Sequence, residues 1–401
     1  MEDEALSSLT SKLKKKVRGR MLKPEEKMNR PQHVCLARLD MTTCEQIEII
    51  AIHLNEIGID NCFIGFPANS FSMSSVDFGH HSDSSICHSA VELELEYKGH
   101  NSDMLVLQSP YPEHYPNWLM DLSSKINFAY AGYALPLIDW EYGHFQTPII
   151  KEAKFLLAAS KQELKGYKKN ARRDAEVHLV GNSIMFEVRR RIKSRKPNQL
   201  HNKTTLWAPH WSHSWLESNS GFSRFELALP SILQFFSQHK DQNLIFRPHP
   251  ILREILFTTT PDLASREGLS TKERMNFSQS VLTLQKLLSL RNVILSENNL
   301  ISDILDADQL ITDGVSIISY WATTSKPMCI VMDDLTPQLN KAGKSLVRRI
   351  HKVKNAEGLI KFLTDPNFAH FSTIRKSLRL HPTPKSPPIK EFITRIGHKY
   401  S

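Results

Sequence analysis

Short apolar runs alternate with polar, helix-periodic stretches along most of the chain. Val34-Cys35-Leu36-Ala37 predicts a first strand. From Cys44 to Ile57 the apolar positions Ile47, Ile50, Ala51, Leu54 and Ile57 fall at helical spacing, and Gly58 supplies a stop. Asn61-Cys62-Phe63-Ile64-Gly65 predicts the next strand. Met104–Gln108, Ile126–Tyr133, Lys154–Ser160 and Val177–Asn182 continue the series. This rhythm predicts a parallel sheet with helices on its faces. Residues 66–90 are rich in Ser, His, Asp and Asn and read as a long loop.

Arg189 to His201 is basic, contains Pro197 and Asn198, and reads as a linker. A second α/β unit starts at Thr204-Thr205-Leu206-Trp207-Ala208-Pro209-His210. It continues through a helix near Arg224–His239, a strand ending Arg247-Pro248-His249-Pro250, and strands at Val293–Ser296 and Gln309–Thr312. A helix over 315–325 and a strand at Met328–Val331 follow. The fold class predicted is therefore α/β, with two Rossmann-like domains facing a cleft. The expected divisions are a basic tail or helix at 1–30, a first domain at 31–195, a second at 203–375 and a tail with a helix at 376–401. The tail carries four prolines between 382 and 388, and its final short helix can pack back across the domains.

In an open α/β sheet the ligand crevice lies beyond the carboxyl ends of the strands. Two strand ends carry suitable chemistry. Arg247 and His249 close one strand; Thr312, Asp313, Gly314 and Ser316 follow another, at a strand-to-helix junction. Together they make an anion cradle of a cation, an imidazole, hydroxyls and free backbone N–H groups. A phosphorylated, nucleotide-linked donor suits it. Gly314 permits close backbone approach, whereas Asp313 would repel phosphate and is expected to cap the helix or orient a neighbour. Pro248 and Pro250 hold His249 rigidly, so it can stabilise a leaving nucleotide. The plainer readings are a loop cap for His249 and a helix cap for Ser316. His210 is a candidate at the cleft. His114 is a candidate base toward an acceptor hydroxyl, with Glu113, Glu141 and His144 as rivals in neighbouring loops.

The chain has 401 residues, enough for two cored domains, and a formal charge of +9. That charge suits anionic partners without choosing among them. Lys12, Lys14, Lys15, Lys16, Arg18, Arg20 and Lys23 concentrate it near the start, either as a solvated tail or as an attachment to an anionic membrane surface. No apolar run approaches the ~20 residues of a membrane span. Met1-Glu2-Asp3-Glu4 lacks the pattern of a signal peptide, and five scattered cysteines fit neither a disulfide framework nor a zinc spacing. A cytoplasmic location is expected, with peripheral attachment to the inner face of the membrane as an extension of it. His210-x-x-His213, and His80, His81, Cys87 and His88, lack a convincing ligand set. No Asp-x-Asp strand end stands at the phosphate site, so no metal and no cofactor are expected there.

Three motifs in the second half carry a resemblance. Leu206-Trp207-Ala208-Pro209-His210-Trp211 stands where an apolar strand leads into Ala-Pro-Thr-Trp. Arg247-Pro248-His249-Pro250 matches Arg-x-His-Pro. Ala307-Asp308-Gln309-Leu310-Ile311-Thr312-Asp313-Gly314-Val315-Ser316, followed by Lys326-Pro327, matches Ala-Asp-x-Leu-Ile-Thr-Asp-Tyr-Ser-Ser and its later Lys-Pro. Over roughly residues 200–335 the chain resembles the CDP-glycerol glycerophosphotransferase family, which includes the teichoic-acid polymerases. The resemblance implies a glycosyltransferase-B fold, an acceptor-binding first domain, a nucleotide-donor second domain and phosphate contacts from the matched residues. The first half matches only in its rhythm and at Gly181-Asn182. The chain departs from the pattern at Gly314-Val315 for Tyr-Ser, Tyr320-Trp321 for Asp-Tyr, His210 for Thr, and Ala131-Gly132 for a His-Gly turn.

The expected function is transfer of glycerol phosphate from CDP-glycerol, or a similar donor, onto a polysaccharide or teichoic-acid-like acceptor. The alternative is a glycosyltransferase using a CMP- or UDP-linked sugar in capsule or lipopolysaccharide synthesis. A third reading, of another class, is a non-catalytic basic protein that binds anionic polymers. Nucleic acid is not an expected partner: basic residues do not alternate with aromatics, and no helix-turn-helix or zinc-finger pattern is present.

Overall fold

The computed structural model describes residues 31–38, 44–66, 84–195, 202–212, 223–257, 270–332, 339–348, 350–365 and 386–399. The basic stretch before residue 31, His80, His81 and His213 lie outside them. Seven parallel strands form the first sheet: β1 (His33–Arg38), β2 (Asp60–Gly65), β3 (Ser84–Ile86), β4 (Met104–Leu107), β5 (Phe128–Ala131), β6 (Phe155–Ala158) and β7 (Glu176–Leu179), in the order β3-β2-β1-β4-β5-β6-β7. Six parallel strands form the second: β8 (Thr204–Ala208), β9 (Asn243–Phe246), β10 (Val293–Leu295), β11 (Gln309–Thr312), β12 (Met328–Val331) and β13 (His351–Val353), in the order β10-β9-β8-β11-β12-β13. This is the glycosyltransferase-B architecture of two α/β domains.

Both sheets reverse their strand order once, between β1 and β4 and between β8 and β11. Central strands β4, β5, β6, β11 and β12 are buried along their whole length, as continuous apolar runs covered on both faces must be. Two expectations are corrected. The loop assigned to 66–90 contains β3, a three-residue edge strand whose Ser84-Ser85 pair hides it from an apolar-run search. The linker assigned from Arg189 begins later, because the helix Ser183–Ser194 continues through the basic run. Glu187 pairs there with Arg190 and Arg191, one turn on, each at 2.6 Å.

The domains share a core. Leu135, Leu137, Ile184, Met185 and Val188 of the first pack in one cluster with Leu206, Ile301, Ile304, Leu310 and Ile318 of the second. Asn340 donates to the carbonyls of Pro136 at 2.6 Å and Ile138 at 3.2 Å, across the same boundary. The chain then returns: the last helix, Pro388–Lys399, buries Ile389, Phe392, Ile393 and Ile396 against β1, β4 and β6 of the first domain.

Trp207 lies at the centre of the second domain, in β8 between β9 and β11, and is 1% exposed. Its ring stacks on Phe225 at 5.3 Å and meets Phe246 at 4.9 Å. Trp207→Ala should cost about 3–5 kcal/mol in urea unfolding. A loss below ~1 kcal/mol would show that this cluster does not anchor the domain.

Candidate functional site

The β8/β11 reversal puts Pro209-His210 beside Asp313-Gly314, with Arg247-Pro248-His249 alongside at the end of β9. Residues from three strand ends thus converge where a doubly wound sheet binds its ligands. The His210 and His249 ring centroids are 5.4 Å apart, and Trp211 leans on both, at 5.6 and 6.3 Å.

The backbone sets the tautomer of each ring. Ile251 donates its N–H to His249 Nδ1 at 3.3 Å, and Ser212 donates its N–H to His210 Nδ1 at 3.2 Å. An Nδ1 that accepts is unprotonated, so each neutral ring carries its proton on Nε2. Burial pushes the His210 pKa down to about 4. Burial, and secondarily the neighbouring His210, holds His249 well below its ordinary range. The pair therefore presents two neutral Nε2–H donors near pH 7.

Asp313 turns its carboxylate inward. It accepts from the His210 N–H at 2.6 Å, the Ser223 hydroxyl at 2.7 Å and the Arg224 N–H at 2.6 Å. Burial raises its pKa against these donors. Its place is that of an orienting group, which joins the β8 turn, the β11 turn and the start of the helix Phe225–Gln238. The Thr312 hydroxyl donates to the Ala208 carbonyl at 2.7 Å and accepts from the Gly314 N–H at 3.0 Å, bracing the same turn. At Gly314 a Cβ would sit 3.5 Å from the His210 ring, an ordinary contact, so glycine leaves space here without being required. Ser316 opens the short helix Ser316–Trp321 at partial exposure.

Arg247 faces the other domain. Its guanidinium donates to Asp303 at 2.8 Å, to the Asn298 carbonyl at 2.7 Å, to Ser296 at 3.2 Å and to Glu45 at 3.0 Å. Glu45 lies in the first turn of the helix Cys44–Asn55 and also accepts from the Leu300 N–H. Burial raises its carboxyl pKa, with Arg247 opposing that shift. Nearby, the Tyr320 hydroxyl donates to the Tyr133 carbonyl, and Asn182 donates to the Gly132 and Tyr133 carbonyls at 3.1 and 3.2 Å. The departure at Tyr320 thus lies on the domain boundary, against the turn that follows Ala131-Gly132.

His114 is on the first domain in the turn Pro112–His114, with Nδ1 2.7 Å from the Ser109 hydroxyl and its ring against Tyr111. Of its rivals, Glu141 pairs with Lys169 on the surface at 2.5 Å, and His144 is buried beside Trp140 and Phe145, with a pKa lowered to about 4 by that burial. The cavity of about 240 Å³ under Pro112, Tyr115, Met120 and Ile149 lies in the first domain rather than at the histidine pair. Glu45 and Gln108 were not legible as site residues. Gln108 directly follows β4 at the first sheet's strand reversal, fully buried, with neither side-chain amide atom hydrogen-bonded among the described residues. Its position just after an apolar run was the available signal.

No family model and no curated protein matches the chain. Solved structures do. S. aureus MnaA, in a co-structure with UDP, is 11% identical with a TM-score of 0.57 over 92% of this chain and 96% of that one. A variant of the wall teichoic acid polymerase TagF soaked with CDPG is 11% identical, with a TM-score of 0.58 over 92% and 89%. UDP-GlcNAc 2-epimerase from Methanocaldococcus jannaschii is 15% identical, with a TM-score of 0.52 over 92% and 99%. At these identities the likeness establishes the glycosyltransferase-B fold.

The neutral pair gives stability a pH signature. An unfolded chain protonates His near pH ~6.5, whereas the fold keeps His210 neutral down to about 4. Between these values the unfolded state binds more protons, so this contribution is intact above about pH 6.5 and is lost as pH falls toward 4. His210→Gln should flatten the fall in urea-measured stability over that window. Identical slopes in the two proteins would refute a neutral buried His210.

Proposed function

We propose that the chain is a nucleotide-dependent transferase that binds an activated donor on its second domain and transfers glycerol phosphate, or a sugar, to a cell-surface polymer. The observation that carries this reading is the convergence of His210, His249 and the Thr312–Ser316 turn at the strand reversal of the second sheet. Two Nε2–H donors, a serine hydroxyl and the N–H groups of a strand-to-helix turn suit the oxygens of a diphosphate. Likeness to TagF soaked with CDPG supports CDP-glycerol as donor. Likeness to MnaA with UDP favours a uridine nucleotide as the second reading.

In the glycerol-phosphate case the acceptor hydroxyl attacks the phosphorus next to glycerol, its proton passes to a base, and CMP leaves. His249 donates to the donor phosphates and strengthens that bond as the leaving group gains charge. His114 and Gln108 belong to the domain that would hold the acceptor. Arg247 would reach the phosphates by exchanging Glu45 for them, while Asp303 holds the other side of its guanidinium. The donor site calls for no metal in this scheme.

Thermal shift with CDP-glycerol, CMP, UDP, UDP-sugars and oligonucleotides separates the readings. A nucleotide diphosphate should raise the melting temperature, by mass action on the folded state. Stabilisation by oligonucleotides alone would favour the anionic-polymer reading and defeat the transferase. Ser316→Ala should weaken the best ligand in calorimetric titration.

His249→Ala should lower turnover by ~10²–10³ while changing the donor's Michaelis constant little. His249→Gln should recover part of the loss, because an amide still donates. Steady-state kinetics with circular dichroism provide the check. A folded His249→Ala enzyme with near-normal turnover would reduce this histidine to a turn residue.

A further inference from the structure

Toward the amino ends of β1, β2 and β4, away from the cleft, three metal-ligating side chains meet, with the sulfur of Cys35 beside one of them. Cys35 and Cys62 are directly opposed in the register of β1 and β2, so their side chains leave the same face. Both are buried, and their sulfurs are 3.3 Å apart. That exceeds the ~2.05 Å of a disulfide. It is close to the ~3.8 Å edge of two thiolates on a tetrahedral zinc with ~2.3 Å bonds. His33, two residues before Cys35, shares that face. His100 follows the helix Ala90–Gly99, which covers it. The ligand atoms of His33, Cys62 and His100 all lie within 4.8 Å of one another.

The surrounding groups favour ligation. Each imidazole has one nitrogen engaged by a neighbouring side chain: His33 Nδ1 lies 2.7 Å from the Ser102 hydroxyl, which is also 3.0 Å from the Cys35 sulfur, and His100 Nε2 lies 3.5 Å from Glu96. That leaves His33 Nε2 and His100 Nδ1 for a metal, oriented as outer partners usually orient metal-bound histidines. The two rings are parallel, at 7°, with centroids 4.9 Å apart. Asp103 accepts the backbone N–H groups of Gln32 and His33 and fixes the start of β1.

We propose that His33, Cys62 and His100 hold a zinc ion, with the Cys35 sulfur, 3.3 Å from that of Cys62, turning in as the fourth ligand. Two sulfurs and two imidazoles complete a tetrahedron, which makes the site structural, with no position open for a substrate. Binding releases the two thiol protons to solvent, forms two Zn–S and two Zn–N bonds, and changes no oxidation state. The metal ties β1 and β2 to the end of the helix Ala90–Gly99. It lies on the first domain, at the opposite end of the strands from the carboxyl-terminal cleft, and is independent of the proposed transfer.

The test uses the full-length chain, reduced, stripped with chelator and then dialysed against zinc chloride or cobalt chloride. One zinc per chain by elemental analysis is expected. Cobalt should give thiolate charge-transfer absorption and the visible bands of a tetrahedral centre. His100→Ala, close to the surface, should keep the fold by circular dichroism and weaken cobalt binding by about tenfold or more. Cys62→Ser should lose most of the charge-transfer band, and Cys87→Ser should keep it. Zinc should raise the melting temperature of wild type and not of His100→Ala. The proposal is overturned if the reduced wild-type chain retains neither metal, or if His100→Ala binds cobalt as tightly as wild type.

Discussion

A single buried carboxylate organises the second-domain site. Asp313 takes the N–H of His210, the N–H of Arg224 and the hydroxyl of Ser223, all between 2.6 and 2.7 Å. The donors come from two separate stretches, the turn after β8 and the Ser223-Arg224 pair before the helix Phe225–Gln238. Left without an acceptor, a buried donor costs about 1–3 kcal/mol. The carboxylate thus fixes the β8 turn against the β11 turn. The position of His210, and through it the 5.4 Å pairing with His249, depends on that attachment. An acidic residue beside the candidate donor site becomes intelligible because its oxygens are taken up by inward donors.

A second constraint acts between the domains. Asp303 is fully buried and pairs with Arg247, which extends on to Glu45 in the other domain. Around this bridge lie the Tyr320–Tyr133 and Asn340–Pro136 hydrogen bonds and an apolar cluster drawn from both halves. Such a boundary is unlike the thin polar interface that leaves domains free to swing. The Arg-Pro-His-Pro segment therefore has two faces: its histidine belongs to the second-sheet turn, and its arginine belongs to the joint.

The strands were legible because a parallel sheet buried on both faces writes its central members as unbroken apolar runs. Met104–Leu107 and Met328–Val331 are visible for that reason. Ser84–Ile86 was not, since an edge strand of three residues needs no such run. The histidine pair was legible as two separate strand ends; their contact was not, because it depends on β8 and β9 being neighbours. Arg247 was legible as a cation at a strand end. Its partner Glu45 stands 202 positions away and carries no mark beyond its place in a helix's first turn. The same limit hid the Cys35–Cys62 contact. Metal spacing rules look for ligands close in sequence, whereas a βαβ crossover brings residues 27 positions apart into register.

These constraints bear on how a polyanionic donor could be held. A desolvated imidazole that stays neutral contributes a hydrogen bond and no net charge. His210 and His249 therefore cannot by themselves balance a diphosphate. The helix after Gly314 is only six residues long and offers a small dipole. One nearby full charge is Arg247, already shared between Asp303 and Glu45. Asp303 is buried beneath it and cannot leave without stranding both charges. Glu45 lies on the opposite domain, and burial raises its pKa against the opposing pull of Arg247. A phosphate entering between the domains would meet Arg247 on the side that Glu45 holds. On the proposed function, phosphate and the Glu45 carboxylate then compete for the same guanidinium.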